Sequence, residues 1–417
     1  MSKKKILIHS IVFSPDGVST AYLYNDIALK FKESGYDVTV LTTTPHYNIV
    51  ESELKKQSLT RRALGLFYES NFNGIKVKHV YQKKYKSTLL RLLGFVYWHI
   101  VSFILALCEK KVDLILSPSP PLTIGFLNII IAKLKSVKVI YNVQEIYPDL
   151  LIAEGGLKSG LIISFLKRME RFVYNNSNAV TTIDEIFYNT IVSRFKDKSK
   201  LHIIPNFVDT DIYKPIDKST LELNKELFPD TESIKVMYAG NIGIAQDWDP
   251  LVALANEMKN DQVEFFVIGE GAEKERLLQE KEYKRLDKLH ILPYQPRELM
   301  PSLLAYSDIQ FIFMAPDTEG HGFPSKVYTI MACAKPLIVI SGNNTPIINF
   351  LKDKDCAFLL TERNMQSNVA KMTDVLRGTS LSEFKRLGEN GYISIENNYS
   401  KEKVTGEYVR VVDELLS

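Results

Sequence analysis

Residues 236–247 read VMYAGNIGIAQD, a short apolar run that ends in small residues. An apolar run of this length, bounded by turn residues, predicts a buried strand, and Gly240 and Gly243 follow it at the carboxyl end, where parallel sheets bind ligands. The pattern returns at residues 264–268, which are followed by GEG at 269–271. Neither stretch completes G-x-G-x-x-G in the right context, so neither predicts a dinucleotide-binding fingerprint.

Short apolar runs alternate with segments of helical period along the whole chain, which predicts an α/β protein with two doubly wound parallel sheets. The strands predicted in the first half are residues 6–12, 37–41, 114–117, 138–143 and 179–183, and the helices are about 19–34, 88–110, 121–135, 160–175 and 184–195. The later strands are residues 236–239, 264–268, 289–292, 309–313 and 336–340. A polar stretch of weak periodicity at 211–232 predicts the linker between a domain at 1–210 and one at 233–390.

The composition is that of a folded protein, with 417 residues of which 45% are hydrophobic and 24% charged. It excludes a disordered chain and a disulfide-stabilised miniprotein. Cys108, Cys333 and Cys356 fit neither a disulfide framework nor a zinc site, so we expect a reducing, cytoplasmic environment. Charge is divided unequally: residues 1–200 carry 28 Lys and Arg against 16 Asp and Glu, and residues 201–417 carry 24 against 33.

Residues 51–91 carry ten Lys and Arg against three Glu, and the apolar run 92–108 follows directly. A basic segment beside a very apolar helix is typical of docking onto an anionic membrane surface. The sequence therefore predicts membrane docking through residues 51–108, and a buried core helix beside a solvated basic loop is the alternative. No nucleic acid is expected as a partner, since no recognised module accompanies the charge.

Residues 319–336 read EGHGFPSKVYTIMACAKP and are the most informative stretch for chemistry. Glycines give way to Pro324 and Ser325 at a predicted helix start, where unpaired N–H groups, a hydroxyl and the Lys326 amine converge on one point. This is the outline of a diphosphate receptor. A capped helix with Lys326 in solvent is the alternative.

Acid and base chemistry would fall to His321 and Glu145, because an imidazole titrates near neutrality and burial can tune a carboxylate. Glu145 lies just past the strand predicted at 138–143, and a salt-bridged surface group is the alternative. Asp16 and Gly17 stand where the first strand gives way to the first helix, at a phosphate-binding turn or an ordinary one. The other histidines show no metal-ligand spacing, so no metal site is expected.

Seven short motifs occur in a fixed order, at residues 13–17, 143–149, 204–209, 239–246, 267–271, 324–326 and 331–336. In this order they resemble the retaining glycosyltransferases of family 4, which have the GT-B fold of two facing Rossmann-like domains. The resemblance covers essentially the whole chain and is strongest to the bacterial subgroup that transfers N-acetyl-L-fucosamine and related amino sugars in O-antigen and capsule synthesis. It implies a C-terminal helix at 391–417 that packs back on the N-terminal domain.

The resemblance also implies a sugar nucleotide held mainly by the second domain, an acceptor against the first, and chemistry in the cleft. The donor phosphates would be surrounded by Gly17, Asn241, Gly243, Gln246, Ser325 and Lys326, and the nucleobase would rest near Gly269, Glu270, Tyr294 and Gln295. Asp16, Gly322 and Pro324 complete the expected donor-binding residues; Glu145, Lys326 and His321 are the expected catalytic residues. Lys326 would stabilise the departing diphosphate electrostatically, so neither metal nor cofactor is expected, the UDP-sugar being a substrate.

The chain departs from the family pattern at three places. His321 and Thr329 stand where family 4 commonly has the two glutamates of an E-x7-E pattern, which puts the usual ribose contact in doubt. Ile244 stands where family members often have an arginine, directly after the Asn-x-Gly of the second domain. Gln144 and Glu145 stand where many members have a His-Asp pair. The amino-sugar subgroup tends to replace the glutamate motif, so we interpret the loss of the glutamates as subgroup character. Phosphate neutralisation then depends more on Lys326.

Residues and resemblance together predict a retaining glycosyltransferase that moves a sugar from a UDP-sugar to a polyprenyl-diphosphate-linked saccharide in bacterial capsule or O-antigen synthesis. The sugar is expected to be an N-acetylated amino or deoxy-amino sugar. We expect a cytoplasmic enzyme that is peripheral at the inner face of the cell membrane. Two alternatives stay open at this point: a UDP-sugar epimerase of GT-B fold, and a non-catalytic glycosyltransferase-like partner, which the missing glutamates suggest.

Overall fold

The structure is a computed structural model that describes residues 3–46, 51–83, 86–153, 155–319 and 323–417. The chain divides into two compact units. The first unit contains the described residues up to Asn206 together with Glu402–Ser417, and the second is Phe207–Lys401. Each unit is built on one sheet and on the helices that connect its strands.

The described part of the first unit has a nine-stranded sheet. Its strands are β1 (Lys5–His9), β2 (Asp37–Thr43), β3 (Thr60–Arg62), β4 (Phe67–Phe72), β5 (Ile75–Val80), β6 (Leu114–Ser119), β7 (Lys138–Val143), β8 (Ala179–Thr182) and β9 (Leu201–Ile203). They lie in the order β3-β4-β5-β2-β1-β6-β7-β8-β9. Pairing is parallel from β5 to β9, whereas β3, β4 and β5 form an antiparallel edge.

Helices connect these strands and cover the sheet. They are α1 (Ser19–Glu33), α2 (Glu51–Lys56), α3 (Thr88–Cys108), α4 (Leu122–Lys135), α5 (Asp149–Ala153), α6 (Gly160–Asn176) and α7 (Glu185–Ile191). On one face, α3 packs beside α4 and α4 beside α6. The buried side chains of α3 include Trp98, Val101 and Leu105, whose spacing places them on one stripe of the helix against Leu7 and Ile115 of the sheet.

In the described part of the second unit, the sheet is parallel and has six strands. Its strands are β10 (Ile234–Ala239), β11 (Val263–Ile268), β12 (Leu289–Leu292), β13 (Ile309–Phe313), β14 (Leu337–Ile340) and β15 (Ala357–Leu360). Its helices are α8 (Asp249–Glu257), α9 (Lys274–Lys284), α10 (Met300–Tyr306), α11 (Lys326–Ala332), α12 (Pro346–Leu351), α13 (Met365–Gly378) and α14 (Leu381–Asn398). The strand order is β12-β11-β10-β13-β14-β15. The last helix of the chain is α15 (Lys401–Leu416).

The predicted α/β class is confirmed, and the strands predicted at 138–143, 289–292 and 309–313 have the bounds of β7, β12 and β13. The first strand is shorter than predicted and ends at His9 rather than at residue 12. The hydroxyl of Ser10 donates to the Val12 carbonyl at 2.7 Å. This local hydrogen bond competes with the sheet ladder for the backbone, which turns away after His9.

A hairpin of β4 and β5 was missed because its strands alternate apolar with polar or charged residues. In β5, Ile75 and Val77 point into the core while Lys76 lies at the surface. Asn73 and Gly74 join the two strands with φ of 47° and 82°. Asn-Gly is a strong sequence signal for a two-residue hairpin turn, because both residues readily adopt this left-handed conformation. The hairpin could therefore have been predicted from its turn.

The predicted linker at 211–232 belongs to the second unit. Phe228 is buried there against Phe266 of β11, and burial of a large aromatic ring ties this segment to the sheet. The boundary also comes earlier than residue 210. Val208 exchanges backbone hydrogen bonds with the chain around residue 400: its N–H donates to the Tyr399 carbonyl, and its own carbonyl accepts from the Lys401 N–H.

The C-terminal segment predicted as one helix at 391–417 is divided between two helices and two units. The helix α14 ends at Asn398, and the chain up to Lys401 belongs to the second unit. Only Glu402–Ser417 belongs to the first unit. There the hydroxyl of Tyr408 accepts a hydrogen bond from Asn142 Nδ2 at 2.9 Å.

One helix among the described residues, α3, is long and apolar enough to cross a membrane by length and composition. About a fifth of its most apolar stretch is buried, 22%. Part of the neighbouring basic charge is neutralised, because Arg62 and Lys76 pair with Glu69, and Lys78 pairs with Glu109. One stripe of α3 is therefore core and the rest is exposed apolar surface, and membrane docking through residues 51–108 stays a prediction.

Candidate functional site

Two loops at the carboxyl edge of the second sheet are in unusually close contact. The Gly240 N–H donates to the Ile268 carbonyl and the Ile242 N–H to the Glu270 carbonyl, each at 2.9 Å. A Cβ on Gly269, whose φ is +154°, would lie 1.8 Å from the Gly240 carbonyl oxygen. Only glycine fits such a contact. The loops after β10 and β11 are thereby joined into one surface at the end of the sheet.

Lys326 lies against this surface and is half-buried. Its Nζ donates to the Ala239 carbonyl at 3.1 Å and lies 3.5 Å from the centroid of the Tyr238 ring. It is also 2.6 Å from the point that a Cβ on Gly240 would occupy. Burial lowers the pKa of Lys326 to about 7. Among the described residues no carboxylate pairs with this amine, so it is held at the edge of the sheet without a counter-charge.

Two buried aromatic side chains hold the loop from Gly240 to Gln246 by hydrogen bonds to its backbone. Tyr238 Oη donates to the Asn241 carbonyl at 2.8 Å, and Trp248 Nε1 donates to the Gly243 carbonyl at 3.0 Å. The Asn241 side chain is exposed, and its Nδ2 lies 2.6 Å from where a Cβ on Gly243 would be. Gln246 Oε1 is buried and has no hydrogen-bond partner in the described part of the chain. Asn241 and Gln246 both belong to the loop that follows β10, the strand whose last carbonyl binds Lys326.

Pro324 and Ser325 precede α11, and Ser325 is its N-cap. The Ser325 side chain is exposed and makes no capping hydrogen bond to the helix. Its hydroxyl therefore keeps its hydrogen-bonding capacity at the same end of α11 as Lys326. His321 and Gly322, the other predicted residues of this stretch, lie outside the described residues.

The residues predicted to meet the nucleobase also lie at this edge. Glu270 is half-exposed and its carboxylate accepts from Lys274 Nζ at 2.6 Å. Tyr294 and Gln295 follow β12, the strand next to β11; Tyr294 is exposed and Gln295 is half-buried. Gln295 Nε2 donates to the Pro293 carbonyl at 3.1 Å. The structure thus brings Gly269 and Glu270 directly against the loop after β10, whereas Tyr294 and Gln295 lie one strand further along.

In the first unit, the predicted residues lie at the carboxyl edge of its own sheet. Asp16 is buried after β1, and its Oδ1 accepts from the His46 N–H at 2.9 Å. Gly17 and Glu145 are half-buried, and Glu145 follows β7. Only β6 separates β1 from β7, so the three residues follow two parallel strands that lie one strand apart in the sheet. The predicted site residues therefore form two groups, one at each sheet.

A metal site was not predicted from the histidine spacing, and in the part of the chain that the structure describes, no group of three or more His, Cys, Asp or Glu could hold a metal ion. His9 and His79 are buried instead in hydrogen-bonded positions. His9 Nδ1 lies 2.8 Å from Asn128 Oδ1, and His79 Nε2 lies 2.7 Å from Ser70 Oγ. Burial lowers the pKa of each imidazole to about 4.

Comparison with known proteins agrees with this geometry. The family model described as Glycosyltransferase Family 4 matches residues 22–212, and the model described as Glycosyl transferases group 1 matches residues 219–393. Both models describe glycosyltransferases, so the chain is a glycosyltransferase. This glycosyltransferase is 23% identical over 337 residues to the putative colanic acid biosynthesis glycosyl transferase WcaI of Escherichia coli (strain K12), with 79% of this chain and 81% of that protein covered.

A second relative is the probable glycosyltransferase WbjE of Pseudomonas aeruginosa, which is 21% identical over 313 residues, 74% of this chain and 76% of that protein. Among solved structures, Anabaena Alr3699/HepE in complex with UDP matches with a TM-score of 0.70 at 14% identity, covering 99% of this chain and 100% of that one. This match shows the fold. The predicted GT-B architecture of the glycosyltransferase is confirmed.

The glycosyltransferase also holds a buried carboxylate that the sequence reading missed. Glu319 is 5% exposed; it accepts from the Gly342 N–H at 2.6 Å and from both terminal nitrogens of Arg363. Burial by itself would raise the pKa of Glu319, but the hydrogen bonds from Arg363 and Gly342 hold it below its ordinary value. The carboxylate fixes the chain just before the Pro-Ser-Lys stretch. No sequence signal connects it to Arg363, since the two are 44 residues apart.

A buried polar network in the first unit was likewise not predicted. Asn142, the residue before the end of β7, accepts from Tyr24 Oη at 2.6 Å and from Gln144 Nε2 at 3.0 Å. Its own Nδ2 donates to Thr181 Oγ1 and to Tyr408 Oη, each at 2.9 Å. The network orients the backbone that leads to Glu145. Gln144, which stands with Glu145 in the place of a common His-Asp pair, is thus one of the residues that hold this strand end.

Proposed function

We propose that this glycosyltransferase transfers an N-acetylated amino or deoxy-amino sugar, with retention of anomeric configuration, from a UDP-sugar to a polyprenyl-diphosphate-linked saccharide. The product would be a bacterial surface polysaccharide of the capsule or O-antigen type. The observation that carries the proposal is the Lys326 amine held without a counter-charge at the end of β10. The name of the relative WcaI supports the polysaccharide context, and the structures of HepE with UDP and with UDP-glucose support the donor class.

The donor diphosphate would lie over the loop from Gly240 to Gln246. Lys326 supplies the positive charge there, and the exposed Asn241 amide and Ser325 hydroxyl supply hydrogen bonds. An ammonium in a partly desolvated site interacts with a diphosphate far more strongly than it would in water. The choice of an amino sugar rests on the resemblance of the Pro324-Ser325-Lys326 stretch to that subgroup. No metal is proposed, because the lysine can carry the charge of the leaving group.

In the proposed reaction an acceptor hydroxyl attacks the anomeric carbon on the face that the diphosphate leaves. The bond between the anomeric carbon and the diphosphate oxygen breaks as the new glycosidic bond forms. The hydroxyl proton passes to the departing diphosphate, and UDP is released. Lys326 stabilises the charge that develops on this leaving group, a type of interaction that is stronger in the transition state than in the ground state. Glu145 is proposed to orient the acceptor or stabilise developing positive charge.

The enzyme is proposed to work in the cytoplasm, docked on the inner face of the cell membrane through residues 51–108. The support is the exposed apolar surface of α3 beside unpaired basic residues such as Lys86 and Arg91. A polyprenyl-linked acceptor is itself held in the membrane, so docking would bring donor and acceptor together at one surface. Salt should weaken the binding, since the electrostatic part is screened within about 10 Å at 0.1 M ionic strength.

The first test is thermal unfolding with UDP, GDP and ADP compared side by side. A ligand at 100 times its dissociation constant stabilises the folded protein by about 2.7 kcal/mol. We expect UDP to raise the unfolding midpoint and the two purine nucleotides to leave it nearly unchanged. A preference for GDP would contradict the assigned donor. No shift with any nucleotide at millimolar concentration would contradict the donor site itself.

A second measurement separates transfer from epimerisation. The purified enzyme is incubated with the UDP-sugar and no acceptor, and the nucleotide sugars are then separated chromatographically. We expect the donor to stay intact apart from slow hydrolysis. An epimerised UDP-sugar would support the epimerase alternative and overturn the proposed reaction.

The affinity for UDP should fall as pH rises from 7 to 9. Burial lowers the pKa of Lys326 to about 7 in the free protein, so above this pH the amine is neutral and must take up a proton when the diphosphate binds. Each pH unit then costs about 1.4 kcal/mol, a tenfold increase in Kd, until the pKa of the bound state is reached. Titration calorimetry across this range measures the slope. Lys326→Met is the control, and a variant with the same slope would contradict the assignment.

A further inference from the structure

Two helices of the first unit begin with turns that are apolar and exposed. At the start of α3, Leu89, Leu92 and Leu93 are 64%, 57% and 55% exposed. At the start of α6, Leu161 and Phe165 are 86% and 61% exposed. The residues near the start of α3 are exposed on every side of the helix, and those of α6 nearly so. Clusters of large, exposed apolar side chains such as these mark surfaces that bind a partner or a membrane.

The N-terminal turns of α3 and α6 both extend beyond the start of α4, the helix that lies between them. His99 of α3 lies beside Thr123 at the start of α4, with Nε2 2.8 Å from Oγ1. Since α3 begins eleven residues before His99, its start extends about 15 Å past that of α4 at 1.5 Å per residue. Phe172 of α6 packs against Phe126 of α4, with ring centroids 5.4 Å apart and ring planes tilted by 52°. By the same count, the start of α6 extends about 12 Å past that of α4.

The projecting ends lie at the carboxyl edge of the first sheet, where predicted site residues are also found. A helix that follows one parallel strand and precedes the next runs against the strands, so it begins at their carboxyl edge. Both α4 and α6 are of this kind, and α3 leads into β6 in the same direction. Their starts therefore lie at the edge that carries Gly17 and Glu145.

The charge around both ends is basic. Residues 86–108 and 155–169 contain no Asp or Glu. Lys86 and Arg91 lie at the start of α3, and Lys158, Lys167 and Arg168 lie around the first turns of α6. None of these five forms an ion pair with a described residue. Exposed apolar side chains flanked by uncompensated cations match the chemistry of an anionic lipid surface, which offers hydrocarbon below a layer of negative headgroups.

We infer that the start of α6 is a second membrane-docking element, and that it enters an anionic bilayer together with the start of α3. This rests on the membrane location in the proposed function and adds a site outside residues 51–108. The two ends straddle the start of α4 and so hold the carboxyl edge of the first sheet towards the lipid. The C-terminal half of α3 stays with the protein, because Trp98, Val101 and Leu105 pack against the sheet.

A second copy of the chain is a less suitable occupant of this surface. A two-fold dimer contact would place the same basic residues of two chains opposite each other. Such like-charge contacts are unfavourable, whereas anionic headgroups neutralise them.

Vesicle flotation of the full-length protein tests the inference. The vesicles are equal parts phosphatidylglycerol and phosphatidylcholine, with pure phosphatidylcholine as the comparison. We expect Leu161→Ser/Ile162→Ser/Phe165→Ser to lower the partition coefficient at least tenfold, and Leu89→Ser/Leu92→Ser/Leu93→Ser to do the same. The matched control, Tyr283→Ser/Leu381→Ser/Ile393→Ser, removes three exposed side chains of the second unit and should bind as the unmodified chain does.

A tryptophan probe reports insertion directly. Phe165→Trp should shift its emission to the blue on binding and be quenched by lipid brominated along the acyl chain, whereas Tyr283→Trp should show neither effect. Wild-type binding by the α6 variant while the α3 variant fails would overturn the inference. So would a wild-type dimer that the α6 variant converts to monomers, since the occupant would then be a second copy.

The outcome is separable from that of the proposed reaction. UDP-dependent stabilisation is measured on every variant, and it should be unchanged because the residues proposed to bind the donor diphosphate lie mainly in the second unit. Membrane binding without any nucleotide effect would overturn the donor proposal alone. A normal nucleotide effect with no vesicle binding would overturn the docking proposal alone.

Discussion

Lys326→Ala should lower kcat by about 100-fold or more, the usual cost of removing one preorganised group that stabilises transition-state charge. The Nζ of Lys326 is held 3.1 Å from the Ala239 carbonyl and over the Tyr238 ring, so the ammonium does not have to be reoriented when charge develops on the diphosphate. We expect the KM for the UDP-sugar to change much less than kcat. Initial rates over a range of donor concentrations separate the two.

The matched control is Lys354→Ala. Lys354 is also a half-buried lysine of the second unit and also lies over an aromatic ring, with Nζ 4.2 Å from the centroid of Phe350. It follows α12 and is not part of the proposed donor site. Its replacement should leave kcat nearly unchanged. Equal loss in both variants would mean that removing a lysine from this unit acts through stability, and unchanged kinetics in a folded Lys326→Ala enzyme would remove its catalytic role.

Gly269→Ala should destabilise the protein by about 3 kcal/mol or more and abolish stabilisation by UDP. The new methyl group would lie 1.8 Å from the Gly240 carbonyl oxygen, and the φ of +154° at this position is one that residues with a side chain rarely adopt. Backbone, rather than a flexible side chain, must move, so the loops after β10 and β11 separate. At roughly 2–4 °C per kcal/mol for a unit of this size, the unfolding midpoint should fall by about 6–12 °C.

Gly378→Ala controls for the loss of a glycine in the same unit. A Cβ there meets nothing within 4 Å, and Gly378 is the last residue of α13. Alanine at such a site restricts the unfolded chain and adds no clash, so the midpoint should stay the same or rise slightly. If Gly269→Ala unfolded at the midpoint of Gly378→Ala and still responded to UDP, the close contact of the two loops would not be a requirement of the site.

Much of the candidate site could be predicted because it is local in sequence. Gly240, Gly243 and Gln246 come directly after an apolar run, and open α/β sheets bind ligands at the ends of such strands. Pro324, Ser325 and Lys326 signal a helix start by residue type alone. The order of these motifs along the chain then indicated a glycosyltransferase before any contact was known.

Other functional features depend on residues that are distant in sequence. The contact of Gly269 with Gly240, the pair of Glu319 and Arg363, and the network around Asn142 each join segments whose spacing carries no signal. The prediction of a linker at 211–232 was wrong for the same reason: Phe228 is buried against Phe266 of β11, which is distant in sequence. The missed hairpin differs: its Asn73-Gly74 turn was in the sequence, but its strands alternate with charged residues and so lack a continuous apolar run.

The amino-acid sequence by itself determined the α/β class, most strand positions and the residue types at the strand ends. These depend on short-range periodicity and on turn residues, which act within a few positions of the chain. Only the tertiary structure decided that Lys326 points back to the end of β10, and that the starts of α3 and α6 extend past α4. The physical reason is that helix length predicts neither which turns find a packing partner nor which are left exposed; that depends on where the neighbouring helix begins.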